Sequence, residues 1–455
     1  MESRRLQERI LAGILLCGLL ISYTNLNLMS HTPSPPRVKA NNSSPPADPE
    51  VRSLPVTLKA LEPERFPKIF VYPLPVRFHS AMVAQSQSCN SSMFSAEVHF
   101  HRYLMSTPSV RSEDPDAAKF FYIPVYSTCN LTTPRPQVLR TGADPHRWQR
   151  RMVADALEWL DSHDSYSHYL WRRGGLDHIL TATHDFGRCF THRDVGKGVT
   201  TSDGLGRFLG ILRSMVYLQY NGDTHAGASC YEAGRDVVLP PVSKFEYELP
   251  EEMMESMQPV GSALKSPWRA MFRGTTEFKW FGRQDPGYSR GVRQALRRLY
   301  GEGETKNEGV VVTVAGEKVG AGEYLREMAE ASFCVCPRGY AGWTQRFADS
   351  VKAGCLPILI SDHTSWPYDS FLRYETFTIS VSEADASSPG RLRHILSRLT
   401  FSEISTKKTN LLAVRPLFSY RSIQTQYWDS KWKAVPREEL TSCGACLMAV
   451  LELST

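Results

Sequence analysis

The sequence has no long block of like charge, no internal repeat at solenoid spacing and little composition bias of the disordered kind. Each absence removes a class of function. Lys and Arg number 53 against 47 Asp and Glu, so the net charge is +6 over 455 residues. That surplus suits an anionic small ligand or an acidic polymer, but it lacks the concentrated basic stripe of a nucleic-acid binder. The missing repeat removes solenoids and propellers. With 42% hydrophobic and 11% aromatic residues, the chain buries enough surface to fold. Its length exceeds one ordinary core and leads us to expect two domains plus accessory segments. The first strand-like stretch, KIFVYPLPVRFHS (68–80), contains no glycine. It therefore cannot build the phosphate loop that a P-loop sulfotransferase would need there.

Charge is also missing from residues 10–36. Arg4, Arg5 and Arg9 precede the apolar run ILAGILLCGLLISYTNLNL, and the next charged side chain is Arg37. The strictly apolar part is short for a spanning helix, and a cleaved signal peptide is the competing reading. No small-x-small cleavage pattern follows, and the uncharged length suffices for a thin early-secretory membrane. Residues 1–9 thus read as a cytosolic tail and 10–29 as a type II signal anchor, with the rest lumenal by the positive-inside rule. Residues 30–65 are rich in Pro, Ser and Asn and read as a stem. Asn41, Asn42, Asn90 and Asn130 each open an Asn-x-Ser/Thr triplet and are the expected glycan acceptors. Ten cysteines suit an oxidising compartment. Cys17 lies in the anchor, which leaves an odd number, so at least one stays free or pairs with another chain. Cys443-x-x-Cys446 has no partner pair at finger spacing and reads as a disulfide element; no metal is assigned.

From Phe66 strands and helices alternate. KIFVYPLP (68–75), KFFYIPVY (119–126) and DHILTATHDFG (177–187) read as strands, the last running into a loop. Residues 92–106 and 148–160 read as helices, and SEDPDAA as a turn and helix start. A second, more regular alternation begins at Trp268. It comprises WRAMFRG, helix 288–300, strand 309–314, helix 323–331, strand SFCVCP, helix 343–354, and strands 355–361 and 376–381. The pattern predicts α/β architecture with parallel sheets covered on both faces. We divide it into 66–260, 261–400 and a tail, 401–455, with a linker around 241–266. Two such sheets facing each other enclose a cleft beyond their carboxyl edges.

One connection stands out: PRGYAGWT, between SFCVC and the helix that starts near Trp343. Pro337 stops the strand, while Gly339 and Gly342 permit a tight turn and close approach to a ligand. A helix N-terminus offers free N–H groups and a partial positive charge, and Arg338 and Arg346 add full charge. That combination suits a diphosphate, against the plainer reading of a capped strand–helix turn. Asp349, one turn into the helix, is placed to accept from ribose hydroxyls, or else belongs to a solvated face. Asp114-Pro-Asp116 has the form of a manganese-binding DxD, but it reads better as turn and helix-start residues. His99 and His101 point apart on a helix and make poor co-ligands.

FCVCPRGYAGWTQRFADSVKAGCLPILISD (333–362) resembles the signature of the exostosin-type glycosyltransferases, family 47. The resemblance extends over about 66–381 through KIFVYPLPVRF, SAEVHFHRYLMS with DPDAAKFFYIPVY, HDFGRC, GRDVVLPP, and MFRGT with YSRGVRQAL. Arg273 departs slightly from the residue usual before that glycine, and 382–455 matches less well. The resemblance implies a GT-B fold, two Rossmann-like domains facing a cleft, with the nucleotide sugar in the C-terminal one. It implies inverting transfer in the Golgi from a UDP-sugar, without a metal or other cofactor, onto a glycan or polysaccharide acceptor. Arg338, Gly339, Thr344, Arg346 and Asp349 would line the donor nucleotide, and Arg273-Gly274 would meet its diphosphate. Inversion needs a general base. Asp185 is favoured, with His184 as orienter or alternate; Glu97 and His101 come second, and a purely local hydrogen-bonding role suits that pair better. A catalytically weak scaffold subunit of a polysaccharide-synthesising complex is the alternative, and the odd cysteine would allow a covalent partner. The motifs do not name the sugar.

Overall fold

The computed structural model describes residues 67–133, 145–192, 204–225, 230–250, 268–280, 283–301, 310–420 and Cys446. The expected tail, anchor, stem, Asn41 and Asn42 lie outside these residues. Among those described, no helix is long and apolar enough to cross a membrane.

Two parallel sheets form, as the alternation predicts. The first contains β1 (Ile69–Val71), β2 (Arg111–Ser112), β3 (Phe120–Tyr122), β4 (His178–Ala182), β5 (Val216–Gln219) and β6 (Val237–Val238), in the order β2-β1-β3-β4-β5-β6. The second begins at β7 (Trp268–Arg273). A two-stranded hairpin of β8 (Lys279–Trp280) and β9 (Arg283–Gln284) interrupts the sequence. The sheet then continues through β10 (Val310–Ala315), β11 (Phe333–Pro337), β12 (Leu356–Ile360) and β13 (Ile379–Ser380), in the order β10-β7-β11-β12-β13. Within both sheets every pairing is parallel. The helices that matter below are α1 (Ala96–Ser106), α2 (Ser127–Thr132), α3 (Pro145–Asp161), α4 (Lys244–Glu248), α5 (Val292–Tyr300), α6 (Ala321–Glu330), α7 (Gln345–Ala353) and α8 (Phe401–Val414).

The central strands are buried along their whole length, FCVCP and LPILI without exception. Such continuous apolar runs are what a parallel sheet covered on both faces demands. Separate cores fill the outer faces: Phe121, Leu157, Leu180 and Tyr217 in the first half, Phe272, Leu296, Val335 and Ile358 in the second. A third core joins the halves, packing Ile69, Phe100 and Tyr122 in one cluster with Trp343, Phe347 and Leu359. Just past the carboxyl ends of β5 and β12 the halves also meet through backbone. Asp223 and Thr364 form an antiparallel bridge, Ser365 N–H donates to Gly222 O at 2.7 Å, and Thr224 N–H to His363 O at 2.8 Å.

Several expectations shift. SEDPDAA holds the last residue of the short β2 and turns, with no helix; Asp114 Oδ1 accepts from Asp116 N–H at 2.9 Å and Tyr169 Oη donates to Asp116 at 2.7 Å. The Asp114 bond is the turn role expected, but no helix starts here, and Asp116 instead ties the turn to Tyr169. The first part of the supposed tail is integral to the fold. A capping box of Thr400 and Glu403 starts α8, and Leu411, Val414, Leu417 and Phe418 enter the joining core. Lys352 Nζ meets the Glu246 carboxylate at 2.5 Å, and Ser419 Oγ donates to the same carboxylate at 2.9 Å. Residues up to 420 thereby clamp both halves.

Among the described residues, disulfides join Cys89–Cys129, Cys189–Cys230 and Cys334–Cys355. Cys336 is an unpaired thiol, fully buried against Ser350. It cannot reach another chain, so the covalent partner imagined from the odd count finds no support there. Asn130, an expected glycan acceptor, is covered. Its side chain is buried and Nδ2 donates to Trp148 O at 2.9 Å, so a glycan on that nitrogen would break the packing of α2 on α3. Asn90 is only partly covered.

Candidate active site

Between the carboxyl edges of the two sheets lies a cleft of about 780 Å³. From the first half it is lined by Phe94, His146, His184, Asp185 and Phe186, and from the second by Gly274, Tyr324, Gly339, Thr344 and Arg346. Arg273 and Asp349 also reach it. Of the nine residues singled out for catalysis and donor binding, Arg338 alone is absent from this lining.

The PRGYAGWT connection is held by Arg293, on α5. Its guanidinium donates from Nε to Arg338 O at 2.9 Å, from Nη2 to Pro337 O at 3.2 Å and Thr344 Oγ1 at 3.4 Å, and from Nη1 to Thr275 O at 3.0 Å and Tyr288 Oη at 2.7 Å. One buried side chain thus holds the loops after β7 and β11 together. Burial lowers its pKa to about 10, and it stays charged at any physiological pH. The R-x-x-L of YSRGVRQAL contains this residue, so the signal was in the sequence without its role being read.

Arg346, on the first turn of α7, is the cation left over. It is buried, donates to Tyr324 Oη, and sits over the Phe272 ring at 4.5 Å. No carboxylate pairs with it among the described residues, and its Nε has no hydrogen-bond partner. Thr344 is extended at φ −151° and gives α7 no side-chain cap, and no acidic residue occupies the first turn. Phe347 N–H donates to Thr344 O at 3.1 Å, and the N–H groups of Gln345 and Arg346 remain available beside the guanidinium. Gly274 makes this placement possible, because a Cβ there would collide with Nη2 of Arg346. Gly342 faces Thr364 with no space for a side chain.

Three expected donor residues are otherwise committed. Arg338 is buried and ion-paired to Asp223 at 3.3 Å and Glu383 at 3.1 Å, one partner from each half of the molecule. It is an interdomain tie and does not line the cleft. Arg273 reaches the cleft, but Glu327 neutralises it through two bonds of 2.6 and 2.5 Å. Asp349 accepts from Ser243 Oγ and Lys244 N–H, each at 2.8 Å, and so anchors the start of α4. Burial raises its pKa to about 6 despite those bonds.

Across the cleft, β4 delivers His184 and Asp185 past its carboxyl end. Burial raises the Asp185 carboxyl to about 6, with the Trp343 indole and the Arg293 charge opposing the shift. The indole Nε1 nevertheless completes no hydrogen bond of good geometry with a protein group. His184 is packed among Phe94, His146 and Phe186, and burial beside His146 lowers its pKa to about 3. It is a neutral imidazole that accepts weakly from Phe186 N–H at 3.5 Å, which suits positioning and not proton uptake. The second choices lie elsewhere. Glu97 accepts from Cys129 N–H at 2.6 Å and Thr128 N–H at 3.2 Å and caps α2, and His101 bonds Tyr126 Oη at 2.9 Å.

A cation and a helix terminus on one wall face a carboxylate poised near neutrality on the other, an arrangement fit for group transfer with an anionic leaving group. The Exostosin GT47 domain model matches residues 63–399. The chain is 31% identical over 372 residues to a probable glucuronoxylan glucuronosyltransferase, IRX7, of Arabidopsis thaliana, covering 81% of this chain and 75% of that one. It is 32% identical over 347 residues to a probable glucuronosyltransferase of Oryza sativa subsp. japonica, covering 76% and 72%. A probable beta-1,4-xylosyltransferase of Arabidopsis thaliana, IRX10L, is 29% identical over 354 residues, covering 76% and 74%. A domain match over most of the chain, joined to this likeness across most of both partners, places the protein in the exostosin GT47 family and makes it a glycosyltransferase.

Proposed function

We propose that the protein is an inverting GT-B glycosyltransferase that moves a sugar from a UDP-sugar to a hydroxyl of a polysaccharide, working in the Golgi lumen behind the 10–29 anchor. Asp185 takes the acceptor hydroxyl proton as that oxygen attacks the anomeric carbon, and the bond from that carbon to the UDP oxygen breaks. The leaving diphosphate gains charge as it departs. Arg346 and the free N–H groups of α7 supply the compensating charge without a metal. Arg293 holds the loop in place, and Asp349 and Tyr324 bound the nucleotide side of the cleft. The relatives named as glucuronosyl- and xylosyltransferases make a xylan-type chain the acceptor class to try first.

The observation that carries this reading is the buried, unpaired guanidinium of Arg346 at the head of α7. Thermal unfolding of the detergent-solubilised full chain with UDP, GDP and adenosine 3′,5′-bisphosphate tests it. A ligand bound only by the native state adds ~2.7 kcal/mol at a hundred-fold excess over its dissociation constant. UDP alone is expected to raise the midpoint, and Arg346→Ala to abolish the rise. A shift with the adenosine compound, or none with UDP, overturns the assignment.

A further inference from the structure

A second cavity, of about 990 Å³, opens on the first half of the molecule. It is formed where β1 and β2 end, by Val71–Leu74 and Ser112–Glu113, together with Tyr126 beyond β3 and residues of α1. In the order β2-β1-β3 the chain leaves β1 for one side and then returns to the other, so β1 and β3 flank the topological switch point of this sheet. A crevice outside the carboxyl ends at that point is where open α/β sheets bind ligands. Nothing in the donor cleft uses it.

The walls define the ligand. Arg111 is neutralised by its ion pair with Glu113, and Arg102, which keeps its charge, is turned to Asn90 Oδ1 at 2.5 Å. No glycine-rich turn faces the space. These features disfavour a phosphate or a nucleotide. His79 and His101 meet edge to face at 5.1 Å, and His101 bonds Tyr126 Oη at 2.9 Å. His79 donates from Nε2 to Leu74 O at 2.9 Å, and its Nδ1 is buried away from the space. Met105 stands half exposed on the rim. Ring faces and a thioether, interrupted by uncharged polar atoms, match a neutral sugar, whose faces are apolar and whose edges are hydroxyls.

The position defines its use. Tyr126 lies in this cavity at the start of α2, and Leu131 near the end of α2 lines the donor cleft. The rise of a helix makes that separation roughly 8 Å along the axis. The partition is rigid, because Cys129 is joined to Cys89 and Glu97 caps the helix. We infer that the cavity is a distal acceptor subsite, holding a neutral β-linked polysaccharide some sugar units away from the hydroxyl presented to Asp185. The inference rests on the transferase reading above. It assigns the first half of the protein a second glycan contact that gives long acceptors an advantage over short ones.

Ser80 and Ala84 are exposed residues on the cavity wall, so Ser80→Trp and Ala84→Trp fill it from positions that folding tolerates. Calorimetric titration of the full chain with xylobiose, xylohexaose and β-1,4-galactohexaose, beside the UDP thermal shift, is the test. We expect one of the hexaoses to bind at least tenfold more tightly than the disaccharide, and each filled variant to lose that advantage with its UDP shift intact. Unchanged hexaose binding in both variants, or no binding of either hexaose to the unsubstituted chain, overturns the subsite. Loss of the UDP shift in the unsubstituted chain would instead strike the donor reading, so the two failures are separable.

Discussion

Asp185 illustrates how a single residue is tuned by where its strand ends. Burial pushes the carboxyl to about 6, and the nearby indole and guanidinium keep it from rising further. A base must be ionised to accept a proton, so transfer is expected to fall as pH drops below about 6 and to level off above it. Asp185→Asn removes the base and is expected to lower kcat by ~10²–10⁴-fold, abolishing that limb of the pH profile. The same shift has a stability consequence of opposite sense. A carboxyl whose folded pKa is raised binds more protons when folded, so its contribution to stability declines as pH rises from the unfolded value toward about 6. Above pH 6, Asp185→Asn should therefore unfold at a higher temperature than the unsubstituted chain while being far less active. A variant both less stable and less active would instead mark Asp185 as a structural acceptor. Calorimetry beside a pH-rate profile checks both limbs.

At the scale of elements, the turn from β11 into α7 shows what was legible in the sequence and what was not. Both sheets, their parallel sense and the placement of the glycine-bearing loop at a carboxyl edge followed from apolar runs and from Pro337, Gly339 and Gly342. The cleft lining followed too, at His184, Asp185, Thr344 and Arg346. What the sequence does not do is sort the arginines. Arg273, Arg338 and Arg346 look alike in a one-dimensional string, and only tertiary partners distinguish them: Glu327 quenches the first, Asp223 and Glu383 bury the second, and the third is left unpaired. Arg293 was passed over because its role is to satisfy carbonyls distant in sequence. The fate of 401–420 was hidden because α8 has weak amphipathic patterning, with polar residues on most of its first half. Gly274 offers the test at this scale. In Gly274→Ala the added methyl meets the far end of a flexible side chain, so the cost to folding should stay below ~1 kcal/mol while Arg346 is pushed off its seat. UDP affinity is expected to fall tenfold or more with the melting temperature of the free protein nearly unchanged. Retained affinity would mean that the guanidinium position above Phe272 is unimportant to the donor.

For the whole molecule, the question is what fixes the two halves across the cleft. The joining core, the Asp223–Thr364 bridge and the α8 clamp all act, but Arg338 is the point where they meet the donor loop. Its backbone carbonyl is held by Ser289 and Arg293, and its side chain ties Asp223 of the first half to Glu383 of the second. Removing its charge leaves Asp223 with Arg290 at 3.6 Å but takes the ion pair from Glu383, and breaking a buried pair in this way typically costs about 3–5 kcal/mol. Arg338→Met should accordingly destabilise the protein strongly, by about that amount in denaturant unfolding. It should nonetheless leave UDP affinity within a few-fold when measured well below the new midpoint, since the side chain never faces the cleft. Arg346→Ala should show the reverse, with affinity lost and unfolding little changed. If the two variants instead behave alike, with UDP binding lost in each and stability kept, then Arg338 swings into the cleft when the donor binds. The tie seen between the halves would then be the resting state of a closing motion, not a fixed joint.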